Sequence, residues 1–268
     1  MGSEVRLLGC GTKDVYRGLK EVGLPLFLAK TDIRQRYRRS SLGPFWITIS
    51  TGVMIACLGL IFGKIFKSPI DEFLPFLSAG LIIWGVISQV VIEATGVFTS
   101  SEAIMKQLSI PYFSHVVRMV ARNFIIFLHN LLIFPIVCLL FKITPAPTLL
   151  LIIPGLAILL VNLLWLALFL GIVCTRYRDL TQIVSSLLQI AFYVTPIIWL
   201  PSLLPAKSST MLLDPNPVYH LIQIVRCPLL NQAPSLLNWL VTIGMGIFGW
   251  LITLLIFNRY RTRIVYWL

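Results

Sequence analysis

The chain has 268 residues, of which 57% are hydrophobic and only 12% are charged, with a mean hydropathy of +0.90. Soluble domains carry about 25% charged residues, so this composition excludes an ordinary soluble enzyme and predicts an integral membrane protein. The net charge of +12 does not indicate nucleic-acid binding, because the basic residues flank apolar segments, face membrane lipids and match no nucleic-acid-binding motif.

The N-terminal segment, residues 1–43, is basic and is not expected to be a cleaved signal peptide. Apolar residues recur at helical spacing between positions 14 and 30, which predicts an amphipathic helix at the membrane interface. Pro25 is expected to interrupt that helix. A second short helical piece is expected to begin at Asp32, because aspartate is a common helix cap.

Four arginines stand immediately before the first apolar run: Arg34, Arg36, Arg38 and Arg39. The turn 42–44 then leads the chain into the membrane. Positive charge at the cytoplasmic end of a span helps to orient any membrane protein, because each basic residue near anionic lipid gains about 1 kcal/mol of electrostatic attraction. Guanidinium groups also bind phosphate bidentately, so the cluster alternatively docks a lipid headgroup with one or two phosphates.

Six apolar runs are long enough to cross a hydrocarbon core, which needs roughly 20 helical residues. They are residues 45–63, 73–92, 123–141, 149–174, 180–200 and 236–257. With both termini in the cytoplasm, most of the 22 Lys/Arg residues fall on the cytoplasmic side, as the positive-inside rule requires. The sequence thus predicts an all-α membrane domain at 44–258 and a cytoplasmic tail at 259–268.

The connections between the spans differ in character. The cytoplasmic connection 102–122 is apolar enough to dock on another protein, whereas 175–180 is so short that it makes the fourth and fifth spans antiparallel neighbours. The outer segment 201–234 is rich in proline. Two apolar pieces in and before it, 197–204 and 218–225, are too short to span and predict re-entrant or interfacial segments.

Two glycine patterns resemble nucleotide-binding motifs without matching them. Gly244, Gly246 and Gly249 lie inside an apolar span that lacks the strand and acidic residue of a dinucleotide site. Gly59 and Gly63 are too close for a P-loop and instead fit a helix-packing face. We therefore expect any ATP hydrolysis to occur on another subunit.

The histidines and acidic residues do not form a recognisable catalytic motif, and the five cysteines are scattered along the chain. An ionisable group at membrane depth costs about 2.5–3.5 kcal/mol, so Glu93 is either an end-of-helix residue that reaches water or a pathway residue. His129 has the same two interpretations. Aromatic residues near span ends form either an interfacial belt or a path for sugar rings.

Four stretches together resemble the membrane subunit of bacterial ABC type 2 polysaccharide exporters. They are "DIRQRYRRSSLGPFW" at 32–46, "RYRDLTQIVSSLLQIAFYVTPIIW" at 176–199, "NPVYHLIQIVR" at 216–226 and "RYRTRIVYWL" at 259–268. The resemblance implies a homodimer in the inner membrane, paired with two separate ATPase subunits that bind ATP and Mg. No cofactor or metal ligand set is expected in this chain. The implied cargo is undecaprenyl diphosphate-linked polysaccharide, with O-antigen as the first expectation.

The resemblance also assigns expected roles to residues. The lipid diphosphate would dock at Arg34, Arg36, Arg38, Arg39, Leu42 and Gly43. The glycan channel would be lined by Phe45, Trp46, Phe62, Trp84, Phe192, Tyr193 and Trp199. The ATPase would contact Arg17, Lys20, Met105, Lys106, Ile110, Pro111 and Tyr112. The outer gate would contain Pro201, Pro205, Asp214, Pro217, Tyr219 and His220.

Other functions stay open at this point. The same fold could export capsule, teichoic acid, a drug or a small lipid. A membrane-bound glycan-modifying enzyme would need a convergent set of titratable side chains, which the sequence does not offer. A passive channel or scaffold would not respond to lipid-linked glycan through an ATPase partner.

Overall fold

The computed structural model describes residues 9–36, 38, 43 and 45–268, and within these ranges the chain is helical, without β-strands. Five helical segments are long and apolar enough to cross a membrane. They are α3 (Phe45–Ile65), α4 (Ile70–Ala94), α6 (Tyr112–Leu131) with its continuation α7 (Ile133–Leu140), α8 (Ile152–Arg176) and α12 (Leu236–Tyr260). The shorter helices are α1 (Cys10–Lys20), α2 (Gly23–Arg36), α5 (Glu102–Gln107), α9 (Leu180–Val194), α10 (Ala206–Leu213), α11 (Pro217–Leu229) and α13 (Ile264–Trp267).

Five of the six predicted spans are confirmed as long apolar helices, and the span predicted at 180–200 is shorter than expected. Its helix, α9, has 15 residues and ends at Val194. Thr195 is extended, with ψ of 134°, because the ring of Pro196 disfavours helical backbone in the preceding residue. The prediction of a continuous helix to residue 200 was therefore wrong, and a total of six crossings stays a prediction.

The N-terminal segment forms two helices, as expected, but with other boundaries. The break falls at residues 21–22, and Pro25 lies in the first turn of α2, where its missing N–H costs no helical hydrogen bond. Asp32 does not begin a helix. It lies inside α2, and its carboxylate pairs with arginines of α6.

The two ends of the described chain meet at one end of the helix bundle. The side-chain oxygen of Asn258 accepts hydrogen bonds from the backbone N–H groups of Gly11 and Thr12, at 2.8 and 3.0 Å. These bonds satisfy N–H groups that the first turn of α1 leaves without helical partners. Helix α1 is thereby fastened to the last turn of α12.

Buried Asp14 extends this junction to α6. Its carboxylate accepts hydrogen bonds from the backbone N–H groups of Tyr112 and Phe113, at 3.2 and 3.0 Å, and forms an ion pair with Arg261 at 2.8 Å. A carboxylate at a helix N-terminus is favoured by the helix dipole as well as by these bonds. Helices α1 and α6 and the C-terminal segment therefore form one junction.

The core surrounds α4, which packs against α3, α6, α8 and α11 and is buried over most of its length. Helix α3 is mostly exposed, and no residue of α9 is buried. The predicted packing face on α3 is confirmed. A Cβ atom at Gly59 would lie 2.8 Å from the Leu74 side chain of α4, so a larger residue would require that side chain to move.

Glycines of α8 and α12 also permit close helix contacts. A Cβ atom at Gly249 would overlap the ring of Trp165 on α8, at 2.2 Å, so this part of the glycine pattern packs helices together. A Cβ atom at Gly155 of α8 would lie 2.5 Å from the backbone oxygen of Ile224 on α11. Backbone atoms cannot rotate away as side chains can, so α11 depends on a glycine at this position.

We expect Gly155→Ala to destabilise the protein by about 1–3 kcal/mol, because overpacking forces α8 and α11 apart. The matched control is Gly244→Ala on α12, where an added Cβ would meet no atom within 4 Å. Melting temperatures of the purified variants in detergent measure the difference. Equal melting temperatures for the two variants would contradict the predicted contact.

Candidate functional site

The basic segment lies at the end of α2 and is exposed. Arg34 and Arg36 occupy the last turn of the helix, and Arg38 follows it. Gly43 has a φ of +57°, a left-handed backbone conformation that glycine adopts without strain. Arg39 and Leu42, also predicted to dock the diphosphate, lie outside the described residues.

A small cavity with polar and apolar walls adjoins this segment. It has a volume of about 220 Å³, and its polar lining consists of Arg36, Gln89 of α4 and Asn123 and Asn130 of α6, while apolar side chains of α3, α4 and α6 form the rest. The side-chain oxygen of Asn130 is buried and has no hydrogen-bond partner among the described residues. The basic segment therefore borders a pocket that offers polar groups as well as positive charge.

Asp32 fixes the position of α2 through two arginines of α6. Arg118 donates two hydrogen bonds to its carboxylate, at 2.8 and 2.5 Å, and Arg122 donates one at 3.1 Å. Burial raises the pKa of the Asp32 carboxyl, but hydrogen bonds and charge from Arg118 and Arg122 together hold that pKa below its ordinary value. Asp32 is consequently ionised at neutral pH.

The same network reaches α4 through Glu93. Its carboxylate pairs with Arg122 and accepts hydrogen bonds from Asn123 at 2.8 Å and Gln89 at 3.0 Å. Of the two sequence interpretations, a structural role near the helix end accounts for every one of these contacts. Sequence reasoning missed Arg118 and Arg122, whose spacing of four residues places both on one face of α6.

The predicted channel residues fall into two groups. Trp46 and Tyr193 are 57% and 60% exposed, and Phe45 is 52% exposed with its ring edge-on to His129 at 5.8 Å. Trp84 is buried in the core and contacts Phe192, at 5.7 Å between ring centroids. Exposed aromatic rings are thus available at the start of α3 and the end of α9.

Two further predicted channel residues are half-buried. Phe62 stacks on Phe66 near the far end of α3, with ring centroids 5.6 Å apart. The indole N–H of Trp199 donates a hydrogen bond to the backbone oxygen of Tyr193, at 3.1 Å. A role of these residues in lining a channel stays a prediction.

The residues predicted to contact an ATPase lie close together. Met105, Lys106, Ile110 and Tyr112 line a groove of about 360 Å³ together with Arg261. Pro111 is buried at the start of α6, next to the backbone groups that Asp14 binds. Arg17 and Lys20 lie on the exposed face of α1, so the junction at Asp14 brings both predicted contact regions to the same end of the bundle.

The outer segment is fastened to the core by polar contacts. His220 is buried, and its ring nitrogens lie 2.7 Å from the Asn238 side-chain oxygen and 2.8 Å from the Asp214 backbone oxygen. Asn216 caps α11 and donates a hydrogen bond to the Thr195 hydroxyl, at 2.9 Å. Helix α11 lies among α4, α8 and α12, although it is too short to cross a membrane.

Four more residues of the predicted gate lie in the same outer segment. Pro217 begins α11, and Tyr219 accepts a hydrogen bond from the Gln223 side chain at 2.8 Å. Pro201 begins a short 3-10 turn, and the exposed Pro205 precedes α10. A gating role for these residues stays a prediction.

Arg226 was not singled out by the sequence reasoning. It is fully buried on α11, lies 4.0 Å above the ring of Phe76 and donates a hydrogen bond to the backbone oxygen of Pro196 at 2.6 Å. The guanidinium therefore holds the non-helical segment that follows α9. An arginine directly after a predicted re-entrant segment was the available signal, since buried charge in such a place needs a partner.

The described part of the chain contains no group of three or more His, Cys, Asp or Glu side chains that could hold a metal ion. The arrangement instead combines an exposed basic end, an apolar face with aromatic rings and a groove between α5 and the C-terminal segment. These features are surfaces that can bind other groups.

Comparison with known proteins agrees with this description. The chain is 24% identical over 201 residues to the O-antigen export system permease protein RfbA of Myxococcus xanthus, covering 75% of this chain and 77% of that protein. It is 22% identical over 241 residues to the protein of the same name from Klebsiella pneumoniae, covering 90% and 93%. Residues 26–230 match the ABC-2 type transporter family, and the chain therefore belongs to that family of multi-pass membrane transport proteins.

Proposed function

We propose that this chain is the channel-forming subunit of an ATP-driven exporter of undecaprenyl diphosphate-linked polysaccharide, with O-antigen as cargo. The observation that carries the proposal is the exposed basic end of α2, held beside a polar pocket by the Asp32 ion pairs. Guanidinium groups at this position suit a lipid diphosphate. The names of the two RfbA relatives support O-antigen over other glycans.

The proposed assembly is a homodimer with two ATPase subunits in the inner membrane, with both termini in the cytoplasm. Helix α3, which is mostly exposed, and α9, which has no buried residue, offer apolar surface for a second copy and for the channel between the copies. The contact between Gly11 and Asn258 supports a topology with both chain ends on one side, and such a topology has an even number of crossings. Five long helices then need one more crossing, which we assign to α9 and the extended segment after it.

ATP-driven motion would enter through α1 and the groove beside α5. Closure of the ATPase subunits would push on these elements, and the contacts of Asp14 and Asp32 would pass the movement to α6. The diphosphate would stay at the basic end of α2 while the glycan enters between α3 and α9. Exposed rings such as Trp46 and Tyr193 would let sugars slide, since flat aromatic faces bind them without fixed register.

Other cargoes remain alternatives within the same family. An exporter of capsule or teichoic acid would use the same docking if its cargo were diphosphate-linked, whereas a drug or small-lipid exporter would not need it. A glycan-modifying enzyme is disfavoured because the polar network of Asp32, Glu93, Arg118 and Arg122 is engaged in ion pairs. A passive channel would leave the basic segment without a role in transport.

Replacing Arg34, Arg36 and Arg38 together by Gln should abolish glycan export, because the diphosphate loses its docking charges. Surface immunoblotting of the glycan measures export, and lipid-linked glycan should accumulate inside the cell. The matched control changes the exposed Arg178, Arg259 and Arg263 to Gln and should export normally. Full export by the first variant, after membrane insertion is confirmed, would reduce the basic segment to a topology signal.

Asp32→Asn should uncouple ATP hydrolysis from export, because it removes the charge that binds α2 to α6, at a cost of about 2–3 kcal/mol. Basal ATPase activity of the purified complex should persist while stimulation by lipid-linked glycan falls. The variant Asp32→Glu retains the charge and should restore most of the stimulation. The proposed coupling fails if Asp32→Asn responds to lipid-linked glycan as the unaltered protein does.

Alanine at Trp46 and Tyr193 together should lower glycan export several-fold, because the sliding surface is lost. The control is Phe248→Ala, which removes a ring that is 67% exposed on α12, a helix that packs against α1, α8 and α11. Both variants are measured by the rate at which glycan appears on the cell surface. Unchanged export by the double variant would exclude these rings from the glycan path.

A further inference from the structure

An apolar groove lies at the end of the bundle opposite the Asp14 junction. Its volume is about 560 Å³, and its walls come from the end of α6 with α7, from residues 143–152 and from the end of α11. Helix α6 begins at the junction and α7 continues it, so the groove borders the far part of this long segment. Among the described residues, none from α3 or α9 lines the groove, which is therefore separate from the proposed channel.

A break between α6 and α7 forms one wall of the groove. Pro135 has no N–H group, so it cannot complete the helical hydrogen bond to the backbone oxygen of Leu131. The helix is interrupted at Leu132, and all three residues line the groove. Leu132 is 51% exposed, and Leu139 further along α7 is 80% exposed. This wall is therefore accessible from outside the bundle.

The opposite wall is held in place by Asn231, directly after the end of α11. Its side-chain oxygen accepts a hydrogen bond from the Ala146 backbone N–H at 3.0 Å, and its side-chain nitrogen donates to the Thr144 backbone oxygen at 2.7 Å. These bonds fasten the connection that follows α7 to the end of α11. The groove is thus preformed by contacts within this chain.

The lining selects the class of ligand. Asn231 is the one polar side chain among the described residues that line the groove, and both ends of its amide are already bonded. A buried water needs about three polar partners, and apolar cavities without them stay dry. A drug-sized ligand needs a few fixed polar groups to orient it, in a pocket of about 300–1,000 Å³. An aliphatic chain fits the same volume and needs no polar partner.

Lys142 places a positive charge at the edge of the groove. It is exposed and precedes Ile143, which lines the groove. Its φ of +54° is a left-handed conformation that is uncommon for residues other than glycine. The Ile143 N–H donates a hydrogen bond to the Cys138 backbone oxygen at 2.9 Å, which caps the end of α7. The connection 141–148 contains no other charged residue, so an anionic group at this edge would meet Lys142.

We propose that the groove binds one acyl chain of an anionic phospholipid, with the phosphate of its headgroup beside Lys142. The chain supplies the van der Waals contacts that an unfilled groove lacks, and the ammonium group attracts the headgroup. The bound lipid contacts α7, the start of α8 and the end of α11, so it stabilises the outer segment. The proposal does not depend on the cargo or on an ATPase subunit.

The test uses the purified full chain in a mild detergent, titrated with dioleoyl phosphatidylglycerol. A second titration uses dioleoyl phosphatidylcholine, which has the same acyl chains but no net charge. The melting temperature is followed, since a ligand that binds only the folded state raises it. The variants are Cys138→Phe, which places a ring in the groove, and Lys142→Asn, which removes the charge.

The matched control is Lys67→Asn. Lys67 is exposed, has a φ of +52° and occupies the same position at the end of α3, where the Ser68 N–H bonds the Gly63 backbone oxygen at 3.1 Å. Lys67 does not line the groove. Asparagine tolerates left-handed backbone, so Lys67→Asn and Lys142→Asn should both fold and differ only in their distance from the groove.

We expect phosphatidylglycerol to raise the melting temperature saturably in the unaltered chain and in Lys67→Asn. The apparent affinity should fall about fivefold in Lys142→Asn, which corresponds to the attraction of one basic residue for anionic lipid. Phosphatidylcholine should bind the unaltered chain about as weakly. Cys138→Phe should melt at a higher temperature than the unaltered chain without lipid, because it fills the groove, and should gain little from added phosphatidylglycerol.

Three results would overturn the proposal. The first is the absence of a saturable response to phosphatidylglycerol in the unaltered chain. The second is an equal affinity of Lys142→Asn and Lys67→Asn for phosphatidylglycerol, or of the unaltered chain for the two lipids, which would remove the role of the charge. The third is an undiminished response in a folded Cys138→Phe variant, which would place lipid binding outside this groove.

Discussion

The ion pairs of Asp32 and Glu93 with Arg118 and Arg122 determine how the N-terminal helix α2 is joined to the long apolar helices α4 and α6. Charged groups next to apolar helices are expensive unless they are paired, so the network can form in few arrangements. It binds α2, α4 and α6 to one another at a single level. The exposed arginines at the end of α2 and a cavity lined by His115 and Arg122 both depend on that arrangement.

A second junction, centred on Asp14, has a different physical basis. Its carboxylate satisfies backbone N–H groups at the start of α6 and pairs with Arg261, while Asn258 does the same for the start of α1. Helix ends leave unsatisfied donors, and here residues from distant parts of the chain supply the acceptors. A displacement of α1 would therefore also displace α6 and the C-terminal segment.

At the other end of the bundle, the fold relies on backbone contacts. Pro196 ends α9 early, and its own backbone oxygen accepts a hydrogen bond from the buried guanidinium of Arg226. Gly155 lets α11 approach α8 closely enough for that short helix to lie among longer ones. Protein groups thus satisfy polar backbone atoms of this irregular segment, which is what a position at membrane depth would require.

The sequence by itself determined the membrane class, five of the six predicted spans, the basic segment and the family, because hydropathy and local motifs are readable over short windows. It also contained the early end of α9, in the Thr195–Pro196 pair, although the apolar run concealed it. Only the tertiary structure decided that Asp32 is an ion-pair partner instead of a helix cap, since Arg118 lies 86 residues away. It likewise decided that Arg226 binds the segment after α9 and that His115 and Arg122 line the same cavity. Such pairings depend on which helices pack together, and no local pattern encodes them.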